Sequence, residues 1–282
     1  MPKFMILGGN GMLAYAFKAD PFFLDNISLD LPECDITDKK SIEYYVNKYN
    51  PEYFINCAAY TDVTKAEIEL EKAMMVNAEA VKNLAEIAKK YSIKLIHYST
   101  DFIFKGDKDI IYDEDMPPNP VNNYGLTKLR GEEYLKDILP EALIIRISWL
   151  YGPNGKNFVS IISSLMEEKS QLNIVADQFG KTTYTIDVVE ATINLINHNA
   201  TGIYHFANEG VSSRYEFTKK IYELLTLKRK IECEILPIKA MEYNDNTPRP
   251  TWSVLGCEKY IKLTGKTVRN WERALEDYLN VN

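Results

Sequence analysis

In three places a tyrosine precedes a lysine by four residues: Tyr44/Lys48, Tyr124/Lys128 and Tyr215/Lys219. On a helix that spacing sets both side chains on one face. An ammonium beside a phenol favours the tyrosinate and lowers its pKa from about 10. The phenol then serves as proton donor or acceptor. Among 19 tyrosines some such pairs arise by chance, so placement has to choose between them. A second feature marks where a charged ligand would rest. The apolar run 3–7 leads into Gly8-Gly9-Asn10-Gly11-Met12-Leu13-Ala14, a Gly-x-x-Gly-x-x-Ala turn ahead of a predicted helix. Small residues let backbone amides approach a pyrophosphate, and a helix N-terminus favours negative charge.

The elements that must hold these residues alternate. Strand candidates are 3–7, 27–31, 53–57, 94–99 and 142–149. Several are unbroken apolar runs, as in strands covered on both faces. Helices are predicted over 12–19, 39–49, 73–91 and 124–135, with Asp38 capping the second and Asn122 or Asn123 the fourth. The alternation predicts an α/β fold, a doubly wound parallel sheet of the Rossmann kind, with residues 1–150 as the dinucleotide-binding domain. Beyond residue 150 the pattern is irregular. Gly152-Pro153-Asn154-Gly155 reads as a turn. Helices are expected near 157–168, 186–198, 213–226 and 267–280, short strands near 172–175, 203–206 and 233–236, and a loop over 244–250. Residues 151–282 are expected to form mainly a smaller, discontinuous substrate lobe, with some segments returning to the first domain. The cleft would open at the carboxyl ends of the strands, where open α/β sheets take ligands.

Placement separates the three pairs. Tyr44/Lys48 lies on the helix after the second strand, where no pocket is expected, and Tyr215/Lys219 lies in the small lobe. Tyr124/Lys128 follows the strand that runs into Thr100, a hydroxyl able to share a hydrogen bond with a substrate carbonyl. Tyr124, Lys128 and Thr100 are therefore the candidate catalytic group. Asp30 stands nineteen residues after Gly11, near the offset at which a carboxylate holds the adenosine ribose. No Arg or Lys lies between Asp30 and Asp38 to meet a 2′-phosphate, so the reading favours NADH over NADPH.

Composition bounds the rest. A chain of 282 residues can bury a sizeable core. A net charge of -7 without a long basic run argues against nucleic acid. Cys34, Cys57, Cys233 and Cys257 form no Cys-x-x-Cys pair, which fits a reducing cytosol better than disulfides or zinc. With three histidines, a His-rich metal centre is not expected. The N-terminus lacks signal-peptide features, and no apolar run is long enough to cross a bilayer. A cytoplasmic protein without a membrane partner is the expectation.

Several stretches together carry a resemblance: Ile55-Asn56-Cys57-Ala58-Ala59-Tyr60-Thr61, Val76-Asn77-Ala78, Tyr98-Ser99-Thr100-Asp101-Phe102-Ile103-Phe104 and Tyr124-Gly125-Leu126-Thr127-Lys128-Leu129-Arg130-Gly131-Glu132. Further on come Arg146-Ile147-Ser148-Trp149-Leu150-Tyr151-Gly152, Asn157-Phe158, Asp177-Gln178-Phe179-Gly180 and Arg249-Pro250. The chain resembles the extended short-chain dehydrogenase/reductases, and within them the dTDP-4-dehydrorhamnose reductase family, along nearly its whole length. The resemblance implies hydride transfer from NADH or NADPH to C4 of dTDP-6-deoxy-L-lyxo-4-hexulose, giving dTDP-L-rhamnose. It implies that Tyr124 donates the proton, that Lys128 holds the nicotinamide ribose and tunes Tyr124, and that Thr100 polarises the ketone. The turn from Gly8 through Asn10, Gly11, Met12 and Leu13 would cradle the cofactor. Asp35 and Ile36 would lie beside the adenine, and Ala58, Ala59, Tyr60 and Thr61 along the cofactor path. Asp101 and Trp149 would meet the sugar nucleotide, and Asn157 and Arg249 its diphosphate.

The chain also departs from the family. Some members are thought to pair through a magnesium ion held by glutamates, one of them early in the first helix. Here Leu13-Ala14-Tyr15-Ala16-Phe17 offers no acid and Glu190 stands alone, so no metal and a monomer or weak homodimer are expected. Asp62 and Thr64 depart modestly from the usual small and acidic residues around Thr61, which keeps a different sugar open as the alternative. Dehydratases of this fold carry Asp-Glu after the catalytic threonine, whereas Asp101 is followed by Phe102. The rivals are C4 reduction or epimerisation of another nucleotide-linked 6-deoxy-4-keto sugar. A rival of another class is a non-catalytic NADP-binding regulatory subunit, like that of methionine adenosyltransferase.

Overall fold

The computed structural model describes residues 3–243 and 247–281. At its centre lies a six-stranded sheet of β1 (Phe4–Leu7), β2 (Asn26–Leu29), β3 (Tyr53–Asn56), β4 (Lys94–Thr100), β5 (Leu143–Ile147) and β6 (Gly202–His205). The order is β2-β1-β3-β4-β5-β6, and every pairing is parallel. Alternate side chains of each strand enter different cores. Phe4 and Ile6 face a layer shared with the helices Met12–Ala19 and Thr185–Asn197. Met5 and Leu7 face the layer of Lys39–Tyr49, Ala80–Tyr91 and Asn123–Ile138. Both faces being covered, apolar side chains dominate both sets of positions, which is why β1 and much of β3 and β5 read as apolar runs, while buried polar residues such as His97 and Arg146 are hydrogen-bonded. The sheet is doubly wound, and its order reverses between β1 and β3. That reversal point is where such sheets take ligands.

The predicted helices 12–19 and 39–49 are present, the latter capped by Asp38, whose side chain accepts from Lys40 N. The helix expected over 73–91 is broken. It runs as Leu70–Met74, a π-helical turn Met75–Glu79, and Ala80–Tyr91. The apolar spacing does not register the wider turn, because the chain stays helical on both sides of it. The strand expected to reach Trp149 ends at Ile147, and Trp149 itself sits at φ +44. That left-handed backbone turns the indole out of the sheet.

A second core gathers elements after residue 150. It packs Tyr151, Ile162, Phe217, Trp271 and Leu275 among others, from the helices Phe158–Glu168, Arg214–Thr226 and Trp271–Val281. The segment expected near 203–206 instead joins the main sheet as β6, beside β5. A strand at Trp252–Leu255 and a helix at Glu258–Thr264 carry no sequence signal strong enough to announce them. The strand is four residues long and pairs with the distant Phe179–Gly180 and Ile111–Tyr112. Of the loop expected over 244–250, residues 244–246 lie outside the described residues, and 247–250 carry no regular element. Among the described residues no helix is long and apolar enough to cross a membrane.

Candidate active site

The glycine turn sits at the β1/β3 reversal. Gly8 has φ +77, and a Cβ there would stand 2.6 Å from Ala58 N. At Gly9 it would meet Ser28 Oγ at 2.1 Å. The turn is thus packed against β2 and the end of β3 so closely that side chains are excluded, and its backbone faces the cleft bare. Lys18 Nζ donates to Gly9 O at 2.7 Å and fixes it from behind. No side chain caps the helix that starts after Gly11, so its first N–H groups remain available to an anion. These features fit a dinucleotide pyrophosphate. Asp30 lies at this turn, but its carboxylate also holds the protein together: Asn10 N donates to Oδ2 at 2.8 Å and Leu31 N to Oδ1 at 2.7 Å. Asp35 accepts from Thr37 N and Thr37 Oγ1 at 2.8 and 2.7 Å, and Ile36 is buried in the core behind it.

The stretch Ala58–Thr61 is held by a residue that sequence reasoning quoted without giving it a role. Asn77, in the π-helical turn and 1 % exposed, accepts from Tyr60 N at 2.9 Å. Its Nδ2 donates to Tyr60 O and to Thr127 Oγ1, both at 3.0 Å. One amide therefore locks the cofactor path to the helix that bears Tyr124 and Lys128. The widened turn delivers it there, as such turns do at functional sites. The Tyr60 hydroxyl itself turns to Glu69 Oε2 at 2.9 Å.

Tyr124, Lys128, Thr100 and Asp101 converge where β4 ends. Asn122 starts the helix Asn123–Ile138 by accepting from Gly125 N at 2.8 Å. Its Nδ2 donates to Pro248 O at 2.8 Å, so the same cap anchors the segment that carries Arg249. A Cβ on Gly125 would stand 2.1 Å from Phe102 O, and one on Gly131 would stand 2.3 Å from Asn77 O. The two glycines let the helix press against the end of β4 and the π-helical turn. The ring of Tyr124 meets Phe102 edge-on at 5.7 Å. Removal from water pushes its phenol up to about 12, with the Thr100 hydroxyl beside it working the other way and the Asp101 carboxylate adding to the rise.

This corrects the expectation that Lys128 lowers the tyrosine. Lys128 Nζ donates to Tyr98 O at 2.6 Å and sits 3.3 Å from His97 Nε2. Burial pushes Lys128 down to about 8, and the same burial, with Lys128 nearby, holds His97 well below its ordinary range. The nearest carboxylate on its helix, Glu132, has both oxygens taken by Arg146 at 2.9 and 2.7 Å. Among the described residues Lys128 is a buried cation without a counter-ion of its own. The other two Tyr/Lys pairs stand outside this cleft: Tyr44 is 60 % exposed, and Lys219 lies against its own Tyr215.

Beside Phe102, whose ring meets Tyr124, opens a cleft of about 1010 Å³, walled by Thr61, Trp149, Arg214, Arg249 and Ser253 among others. Asp101, the chain neighbour of Phe102, is 1 % exposed. Its Oδ1 accepts from the Thr100 hydroxyl at 3.1 Å, while Oδ2 has no partner among the described residues. Burial raises this carboxyl to about 6. Arg249 Nη2 donates to Thr64 Oγ1 at 3.1 Å on the far wall. Asn157 does something other than expected. Its Oδ1 caps the helix Phe158–Glu168 at Ser160 N (3.0 Å), and its Nδ2 reaches Gly152 O at 2.8 Å and Gly155 O at 3.3 Å. Both polar atoms are engaged inside the protein, which fits shaping the turn and not touching a ligand. Arg214, which faces the cleft, was missed: nothing in its neighbours marks it, and the contacts that place it are all distant in sequence.

Comparison with known proteins agrees in scale. The family model described as "RmlD substrate binding domain" matches residues 2–282. A spore coat polysaccharide biosynthesis protein, SpsK, of Bacillus subtilis is 36% identical over 281 residues, covering 99% of this chain and 97% of that one. A dTDP-4-dehydrorhamnose reductase of Mycolicibacterium smegmatis is 36% identical over 280 residues, covering 98% and 84%. The crystal structure of a dTDP-4-dehydrorhamnose reductase from Bacillus anthracis, in complex with NADP, superposes with a TM-score of 0.94 at 33% identity, covering 100% of both chains.

Proposed function

The chain belongs to the family of the RmlD substrate binding domain, and from that premise we propose that it is an NAD(P)H-dependent reductase of a nucleotide-linked 6-deoxy-4-ketohexose. The substrate is dTDP-4-dehydrorhamnose and the product dTDP-L-rhamnose. The observation that carries the reading is the meeting of Tyr124, Thr100 and Asp101 at the carboxyl end of β4, on the same edge of the parallel sheet at which the closely packed Gly8–Gly11 turn follows β1. A reduced nicotinamide supplies the hydride when bound. The residues Gly8, Asn10, Gly11, Met12 and Leu13 would hold its pyrophosphate, Asp30 its adenosine ribose, and Lys128 the nicotinamide ribose. Ala58, Ala59, Tyr60 and Thr61 line its path.

Tyr124 supplies the proton. Its high pKa suits this direction: reduction consumes a protonated phenol, and at neutral pH the buried hydroxyl is fully protonated. Thr100 shares the carbonyl oxygen, orienting it toward the phenol. Trp149 and Asp101 flank the sugar, and Arg249 stands on the diphosphate side. A non-catalytic subunit would have no use for an acid positioned this way. The four thiols are unpaired, as a reducing cytosol would leave them. The residues after 150 act mainly as the substrate lobe, apart from segments that return to the main sheet, β6 and the helix Thr185–Asn197 among them.

The test is loss of reduced-nicotinamide absorbance on addition of dTDP-4-dehydrorhamnose, run with NADH and NADPH. Turnover with NADH as the better donor is expected, because Asp30 repels a 2′-phosphate. No turnover with either donor on any nucleotide-linked 4-ketohexose would refute the reaction. A clear preference for NADPH would refute the role of Asp30 alone.

A further inference from the structure

The cleft holds a cation that has no ion-pair partner among the described residues. Arg214 begins the helix Arg214–Thr226. Its guanidinium carbon lies over the indole of Trp149, 3.6 Å from the ring centre, and 4.9 Å from that of Phe158. Among the described residues it has no hydrogen bond and no carboxylate within ion-pair distance; its charged neighbours are Asp101 and Arg249, at longer range. Other arginines of the structure are paired: Arg146 with Glu132, and Arg269 with Asp187. Taking a guanidinium from water without an anion is costly, and here burial lowers its pKa to about 9.

The stacking geometry says what would repay that cost. Contact with an indole uses the flat face of a guanidinium. The N–H donors lie in its plane, around the edge; among the described residues they make no hydrogen bond, and Arg214 lines the cleft. A fork of in-plane donors matches paired phosphate oxygens. Trp149 holds the group still, since its own backbone is fixed at φ +44 and Gly180 packs against the indole, with no room for a Cβ (2.9 Å).

We propose that Arg214 takes the diphosphate of the substrate, in the plane of its guanidinium, with Trp149 as the platform beneath. This rests on the sugar-nucleotide reading above and adds the residue that reads the charged part of that substrate. Arg249 stands across the cleft at longer range and shares the anion's field.

The probes are dTDP and inorganic pyrophosphate, titrated by calorimetry and by the fluorescence of Trp149. The wild-type protein should bind both, with a change in indole emission as Arg214 exchanges neighbours. Arg214→Met keeps an apolar stem on the ring and removes the donors. It should weaken both probes about thirtyfold or more, with affinity for the reduced dinucleotide as the control for folding. Arg214→Lys keeps the charge without the fork and should fall between. With the ketone substrate the loss should appear mainly in KM. Affinity for dTDP within about threefold of wild type in Arg214→Met would overturn the proposal. Failures separate cleanly. If dTDP binds through Arg214 but no 4-ketohexose is reduced, the reaction falls and the anion site stands. If the ketone is reduced and Arg214→Met leaves KM unchanged, the anion site falls and the reaction stands.

Discussion

The two walls of the cleft are built differently. On one side Thr100, Asp101, Tyr124 and Lys128 come from a single β4-loop-helix unit. On the other side Trp149, Arg214 and the stretch from Arg249 to Ser253 come from three separate segments of the chain. The chemical wall is local and stiff, tied to a parallel sheet whose strands are covered on both faces. The recognition wall is assembled from pieces that meet through the second core and through single hydrogen bonds such as Asn122 to Pro248. This division lets the reacting geometry persist while the residues that read the substrate are exchanged one at a time.

The comparison is broken most severely at the acid. Tyr124→Phe keeps the ring against Phe102 and deletes the proton. Turnover should fall about 10²- to 10⁴-fold, with dinucleotide affinity nearly unchanged. Pre-steady-state and steady-state rates of cofactor oxidation measure it. Near-normal turnover would move the acid elsewhere, with Asp101, raised to about 6, the next group in line.

A backbone test comes next. Gly125→Ala puts a methyl 2.1 Å from Phe102 O, and neither partner is a flexible side chain. The helix must shift, so stability should drop by about 1–3 kcal/mol and the Tyr124 hydroxyl should move off its target. Gly202→Ala, at the start of β6, is the control. Nothing lies within 4 Å of its Cβ, and its cost is the φ of +78, about 1–2 kcal/mol, without effect on KM or kcat. Denaturant unfolding and kinetics on both variants decide it. Equal losses of activity would mean that the close approach at Gly125 does not position the acid.

The same contrast explains what could be read from sequence. The apolar runs of β1, β3 and β4, the glycine turn and the caps at Asp38 and Asn122 are short-range signals, and they announced the sheet and singled out the candidate catalytic group. Asn77 was invisible as a lock because the π-helical turn that aims it leaves the helical spacing intact. Arg214 was invisible because an arginine near a helix start ordinarily faces water, and only the folded chain sets it on Trp149. Asn157 misled for the opposite reason: a polar residue in a cleft-lining stretch suggests a ligand, while its bonds close a turn. The tyrosine pKa was misjudged because spacing reports that two side chains share a helix face. It does not report that the lysine bends away to Tyr98 O and His97.

That last point yields the subtlest prediction, a stability gain from deleting a residue of the proposed catalytic group. Lys128 titrates near 8 in the folded protein and near 10.4 when unfolded. Below pH 8 both states carry the proton, and the folded state bears the full penalty of a buried charge. Between pH 8 and 10.4 the unfolded state binds more protons, so stability rises with pH across that window and the penalty disappears above it. The gap corresponds to about 3 kcal/mol. Lys128→Met removes the penalty but also the bond to Tyr98 O, worth about 1 kcal/mol. At pH 7 the variant should therefore be about 2 kcal/mol more stable than wild type while losing activity, and at pH 10 the advantage should be gone. Urea midpoints at the two pH values measure this. A variant that is less stable by the same amount at both would mean that Glu132 serves as counter-ion to Lys128 as well as to Arg146, and the chemical wall would then hold its charge by pairing and not by burial alone.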